Sequence, residues 1–223
     1  MRISKEKKGK TSKKVFFFFY GKKVEKRKEW WYTSFKNWQY QYIIRNTKGG
    51  ATMGYVKWSY SVLEHFCHDV FRAFGFDETQ SKEIEDVLLT ADLFGIESHG
   101  MQRMVRYHKG IEKGTIHPLA KPEVVFETPV SAVIDGHNGM GQLISIYAMK
   151  KAIEKAKTSG IGMVSVRNSN HFGIAGYYAK MASDEGLLGM ACTNSEAIMV
   201  PTFGKKAMLG SNPIAVAMPA EPY

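Results

Sequence analysis

The sequence predicts an α/β fold in which a helical N-terminal segment leads into an α/β layer. Three observations predict it. Apolar residues recur at helical spacing over roughly 55–113. The period then shortens to that of strands, first at "EVVFE" (123–127). From there strand-like and helix-like runs alternate, the pattern of helices packed on a sheet. The dinucleotide fingerprint G-x-G-x-x-G is absent, as is a phosphate loop ending in Gly-Lys-Ser/Thr.

Each element has its own signal. Val62, Phe66, Val70 and Phe74 mark the first helix, and Gly75 stands where it ends. Asp77 with Gln80 three residues on forms a capping box for the second. Ile84, Val87, Leu88 and Ala91 are its buried stripe, and Gly95 closes it. Ser98 is read as the N-cap of a third helix, with His99 in its first turn. "EVVFE" and "SAVID" (131–135) are strands, and "GHNGMG" (136–141) is a loop. Residues 142–158 form a helix with Ile146, Met149, Ile153 and Ala156 on one face. "IGMVSV" (161–166) is a buried strand, 174–185 a helix, "LLGMACT" (187–193) and "PIAVAMP" (213–219) two more strands.

Of the net charge of +10, residues 1–52 supply +12, with 15 basic and three acidic residues. The rest of the chain is slightly acidic. Lysine runs and aromatic clumps alternate in 1–52 without a sustained helical or strand period. One reading is a nucleic-acid arm, lysines on phosphates and aromatics on bases; another is a membrane-surface segment. The favoured reading is an extension that is disordered or lies upstream of a true start at Met53. "KGG" (48–50) before Met53 can be encoded by a purine-rich stretch resembling a ribosome-binding site. Domains are thus expected at 1–52, 53–118 and 119–223. The two cysteines, Cys67 and Cys192, fit neither a disulfide framework nor a metal motif and point to a reduced cytosolic setting. No apolar run reaches the ~18 residues of a membrane helix.

Two places carry chemistry. In "SHGMQR" (98–103), Arg103 falls four residues after His99, on one helical face. A guanidinium fork suits a carboxylate, and an imidazole titrating near neutrality suits proton transfer to an adjacent oxygen. The alternative is a helix start with a solvated histidine. In "NSNHFG" (168–173), His171 follows a strand and precedes a helix, where ligands bind in α/β folds. Ser169 or Asn170 is placed to cap that helix, and a capping cluster with a structural histidine explains the run equally well. "TNS" (193–195) and "LGSNP" (209–213) are polar loops beside strands, suited to phosphate or amide groups or to ordinary turns. "HFCH" (65–68) lacks a second ligand cluster and reads as plain helix, so no metal is expected.

"ADLFGIESHGMQR", "VIDGHNGMGQ", "RNSNHFGIAGYYAKMA", "TNSEAIMVPTFG" and "LGSNPIAVAMP" together resemble the type-2 malate/L-lactate dehydrogenase family. Ureidoglycolate and sulfolactate dehydrogenases, a diketogulonate reductase and a piperideine-carboxylate reductase belong to it. The resemblance runs from about Met53 to the end and leaves out 1–52. It implies an NAD- or NADP-dependent oxidoreductase that interconverts small 2-oxo and 2-hydroxy acids. It implies a homodimer, placed in the cytoplasm by the cysteine usage above, and a non-Rossmann, sulfolactate dehydrogenase-like α/β cofactor domain, in agreement with the missing glycine fingerprint. His99 is implied as the acid/base residue, with His171 in that role in some members. Arg103, beside Ser98, is implied as the substrate ligand. Ser195 matches a position that contacts the dinucleotide, and Asn170, Thr193, Asn194 and Asn212 are assigned to it from the same polar loops. Ser211 stands where many members have Thr. Members continue past Tyr223, so the α/β domain is expected to be incomplete at its C-terminus and the chain inactive or unstable alone. A nucleic-acid binder using the basic arm, or an inactive remnant of the fold, are the competing expectations.

Overall fold

The computed structural model describes residues 13–20, 39–43 and 55–220. The start of the proposed extension, the Lys-Gly-Gly stretch and Met53 lie outside the described residues. Strand β1 (Lys13–Tyr20) and β2 (Gln39–Ile43) lie within 1–52, where no strand period is visible. β2 pairs antiparallel with β3 (Tyr55–Ser59) in a two-stranded ribbon. The remaining elements are α1 (Tyr60–Ala73), α2 (Glu78–Leu93), α3 (Met104–Glu112), β4 (Glu123–Glu127), β5 (Ser131–Asp135), α4 (Gly141–Ser159), β6 (Ile161–Ser169), α5 (Ala175–Asp184), β7 (Leu188–Thr193) and β8 (Ile214–Ala217).

The main sheet has the order β4-β5-β6-β1-β7-β8. β5 and β6 are parallel, with α4 between them in sequence. β1 is antiparallel to both β6 and β7, so these two run parallel to each other with β1 in the slot between them. "VFFFFY" is a continuous apolar run without alternation, so no strand period marks β1 in the sequence.

Helix α2 follows its sequence signals closely. Asp77 accepts from the Gln80 N–H at 2.8 Å, and the Gln80 side chain accepts from the Asp77 N–H at 3.0 Å. Ile84, Val87, Leu88 and Ala91 are fully buried. Gly75 and Gly95 end α1 and α2 at φ of +94° and +71°. In α1 the expected stripe is displaced. Val62 and Phe66 are exposed, and Tyr60, Leu63, Cys67 and Phe71 face the core. Both sides of this helix carry apolar residues, so spacing alone could not choose between two faces one residue apart.

The core has two linked parts. α4, with Ile146, Met149, Ile153 and Ala156, packs with Ile134, Val164 and Val166 of β5 and β6. Leu63, Phe71, Ile84, Leu88 and Tyr107 form the second cluster, which Met140 joins from the loop before α4. The two parts meet along α2, since Val87 belongs to the first cluster and Leu88 to the second. His65 and His68 serve the helices. His65 Nδ1 contacts the Ser61 carbonyl at 2.6 Å, and His68 lies between Glu78 and Glu85 at 3.1 and 3.2 Å. Among the described residues no helix is long and apolar enough to cross a membrane.

Candidate active site

The segment around Ser98 is not the regular helix start its sequence predicts. Glu97–His99 and Met101–Arg103 form two 3-10 turns, and α3 begins only at Met104. Gly100 lies between the turns in an extended conformation. The buried Asp92 carboxylate accepts from the Met101 N–H at 2.8 Å, so the cap comes from α2 rather than from Ser98. A Cβ at Gly100 would sit 1.8 Å from Asp92 Oδ1, and only glycine permits this approach. The Ser98 hydroxyl is instead 2.8 Å from His99 Nδ1. Arg103 folds back, its Nε donating to the Ser98 carbonyl. His99 and Arg103 are therefore not on one face of a regular helix; the guanidinium acts on the imidazole across a bent backbone.

His171 arrives from the other side, on the link between β6 and α5. That link is shorter than the expected bounds imply, because β6 continues to Ser169. α5 starts at Ala175, its N-cap position is Ile174, and no side chain caps it. Neither Ser169 nor Asn170 fills that role, because 170–174 run as an irregular segment with Gly173 at φ +83°. Asn170 Nδ2 points its hydrogens at three backbone carbonyls, Thr115, Asn138 and Gly139, at 3.1, 2.8 and 3.0 Å. It ties the loop before α4 to the end of β6. Gly141 brings α4 against the same link: a Cβ there would lie 2.3 Å from the His171 carbonyl.

These two routes bring the half-buried imidazoles of His99 and His171 into a stack, ring centroids 5.2 Å apart and planes at 29°. Burial, and then the Arg103 guanidinium, hold the His99 imidazole below the ordinary histidine value. Behind His171 lies a polar chain that sequence reasoning missed. Tyr107 Oη is 2.8 Å from His171 Nδ1, and Gln142 Nε2 donates to Tyr107 Oη at 2.8 Å. Burial pushes the Tyr107 phenol well above its ordinary range. Tyr107 stands four residues after Arg103, a spacing that would have singled it out. Gln142 is a buried amide inside an apolar helix face.

The "TNS" and "GSNP" loops also meet. The Ser195 N–H donates to Asn212 Oδ1 at 2.8 Å, and the Asn212 N–H donates to Ser195 Oγ at 3.4 Å. Ser195 and Ser211 hydroxyls are 3.3 Å apart, and Thr193 Oγ1 donates to the Asn194 carbonyl at 3.0 Å. Arg106 of α3 and Glu196, the neighbour of Ser195, form an exposed ion pair of 3.9 Å that links the two groups. A groove of about 480 Å³ runs along α3 past Gln102, Arg106, Lys109 and Lys113; its walls include neither His99 nor His171. The imidazole pair is therefore not part of that groove.

A stacked histidine pair with an adjacent arginine thus stands on an α/β frame without the glycine fingerprint. The chain belongs to the malate/L-lactate dehydrogenase family, whose profile matches residues 58–223. It is 47% identical over 174 residues to a malate dehydrogenase of Pyrococcus abyssi, covering 78% of this chain and 48% of that protein. It is 44% identical over 155 residues to an L-sulfolactate dehydrogenase of Methanocaldococcus jannaschii, covering 70% and 45%. The solved malate dehydrogenase of Pyrococcus horikoshii OT3 superposes with a TM-score of 0.74 at 45% identity, over 79% of this chain and 51% of that one. The chain spans about half the length of the curated relatives it matches.

Proposed function

We propose that the protein is, or is part of, an NAD- or NADP-dependent oxidoreductase that interconverts a small 2-oxo acid and its 2-hydroxy acid. The observation that carries this reading is the side-by-side placement of His99, His171 and Arg103 from two separate stretches of chain. Arg103 binds the substrate carboxylate through its guanidinium fork, with the Ser98 hydroxyl alongside. Holding that carboxylate turns the carbonyl carbon toward one side of the site. His99 delivers a proton to the carbonyl oxygen during reduction and accepts it from the hydroxyl during oxidation. Its lowered affinity for protons leaves it neutral at neutral pH, the form that acts as base for the hydroxy acid.

A nicotinamide dinucleotide would supply or receive the hydride. The loop pair at Ser195, Ser211 and Asn212, with Thr193 and Asn194, fits such a group by its chemistry: hydroxyls and amides, which suit ribose and carboxamide. Asn170 serves there through its carbonyl oxygen, since its amide hydrogens go to the backbone. A homodimer in the cytoplasm completes the reading. Ile198, Phe203, Met208 and Ile214 are all more than two-thirds exposed around β8, a large apolar area for further polypeptide to cover.

The test is turnover of a panel of 2-oxo acids, among them the oxo forms of malate, lactate and sulfolactate, followed at the nicotinamide absorbance. In a full-length version, His99→Ala is expected to lower turnover by about 10²–10⁴. Unchanged turnover in that variant removes His99 from its role.

A further inference from the structure

His171 is held by donors. Tyr107 Oη lies 2.8 Å from its Nδ1, and the Gly173 N–H donates to the same Nδ1 at 3.3 Å. A phenol can give or take a hydrogen bond, and an amide side chain can present either end, so Tyr107 and Gln142 alone leave the direction of the chain open. The Gly173 amide does not have that freedom. A backbone N–H only donates, so the Nδ1 it faces must carry a lone pair. With Nδ1 an acceptor, the Tyr107 hydroxyl must donate to it. The phenol oxygen then needs a donor of its own, and Gln142 Nε2 at 2.8 Å is that donor. Gln142 Oε1 is buried without a hydrogen-bond partner among the described residues, so its acceptor end is not what anchors this amide. Each group in the series has one polarity consistent with all the others.

We propose that Tyr107 and Gln142 are positioning residues which, with the Gly173 amide, lock His171 in the tautomer that carries its proton on Nε2. The consequence rests on the function given above and divides the labour of the two histidines. His171 is a neutral hydrogen-bond donor that polarises the carbonyl oxygen. A neutral imidazole that gave up its Nε2 proton would become an imidazolate, so the transferred proton belongs to His99. A doubly protonated His171 would set an Nδ1–H against the Gly173 N–H, a group that can only donate.

The tautomer is read directly by ¹H–¹⁵N correlation of the histidine ring nitrogens in the labelled 223-residue chain, at a pH about two units above the ordinary histidine value. The His171 signals are those missing from His171→Gln. We expect Nδ1 at the shift of an unprotonated nitrogen and Nε2 at that of a protonated one. A proton on Nδ1, or an average of both tautomers, overturns the proposal, and this wild-type measurement stands even if a variant fails to fold. In Tyr107→Phe the two nitrogen shifts should move toward each other, because Nδ1 loses the shorter of its bonds to Tyr107 and Gly173. Gln142→Met should move them the same way by less. Shifts that stay in place in a folded variant overturn that residue's part. No turnover is needed, so an inactive preparation leaves this result standing. A wrong tautomer likewise leaves the assignment of His99 and Arg103 untouched.

Discussion

At the scale of single residues, the property that matters most is the charge state of His99. Two causes act in one direction. Partial burial penalises the imidazolium, and the Arg103 guanidinium repels it. Replacing Arg103 by Gln removes the second cause and leaves the first. The His99 titration midpoint should therefore rise in Arg103→Gln while staying below that of an exposed histidine, as read from its ring proton shifts across pH. A midpoint that does not move would place the guanidinium too far away to act. The residues of the candidate site were legible in unequal measure. His99, Arg103 and His171 could be picked out because their residue types are chemical and their neighbours polar. Tyr107 offered only its four-residue spacing from Arg103, and Gln142 and Asp92 each sit in a helix whose apolar pattern hides one polar atom. Asn170 has the residue type of a ligand contact, yet its amide is spent on three carbonyls of the chain itself. Nothing in its sequence neighbourhood announces partners that lie 31 to 55 residues away.

At the scale of elements, local signals placed most helices and strands within a few residues, because capping and period are local physics. Asp77–Gln80 and the buried face of α2 are the clearest cases. The misreadings fall where a distant group decides. The turn at Ser98 is bent because Asp92, nine residues back, takes the Met101 amide. The strand β1 pairs with β6 on one side and β7 on the other, partners in residues 161–193 that 13–20 do not announce. The slot yields a prediction. Removing residues 1–52 exposes the inner edges of β6 and β7, and unpaired interior backbone groups are costly. With about 2–4 °C lost per kcal/mol in a chain of this size, the melting temperature should fall by on the order of 10 °C. A chain beginning at Met53 that melts at the same temperature would show that β1 adds nothing to the sheet.

At the scale of the whole molecule, the site exists only as a product of folding. His99 and Arg103 come from the bend after α2, His171 from the link after β6, and the Ser195–Asn212 pair from loops beside β7 and β8. α4 holds the first two together, with Gln142 reaching Tyr107 and Gly141 abutting the His171 backbone. The five sequence motifs were legible one by one, but their convergence was not. It depends on sheet order and on helix packing, which no local pattern encodes. The central claim is that this convergence creates a seat for the carboxylate of a small acid between Arg103 and His99. Its most direct test is the His99 titration with and without saturating malate, in the wild-type chain and in Arg103→Gln. An anion seated there favours the imidazolium, so the wild-type midpoint should rise on adding malate, and the rise should vanish in the variant. A midpoint indifferent to malate, or one that rises equally without Arg103, would contradict the account.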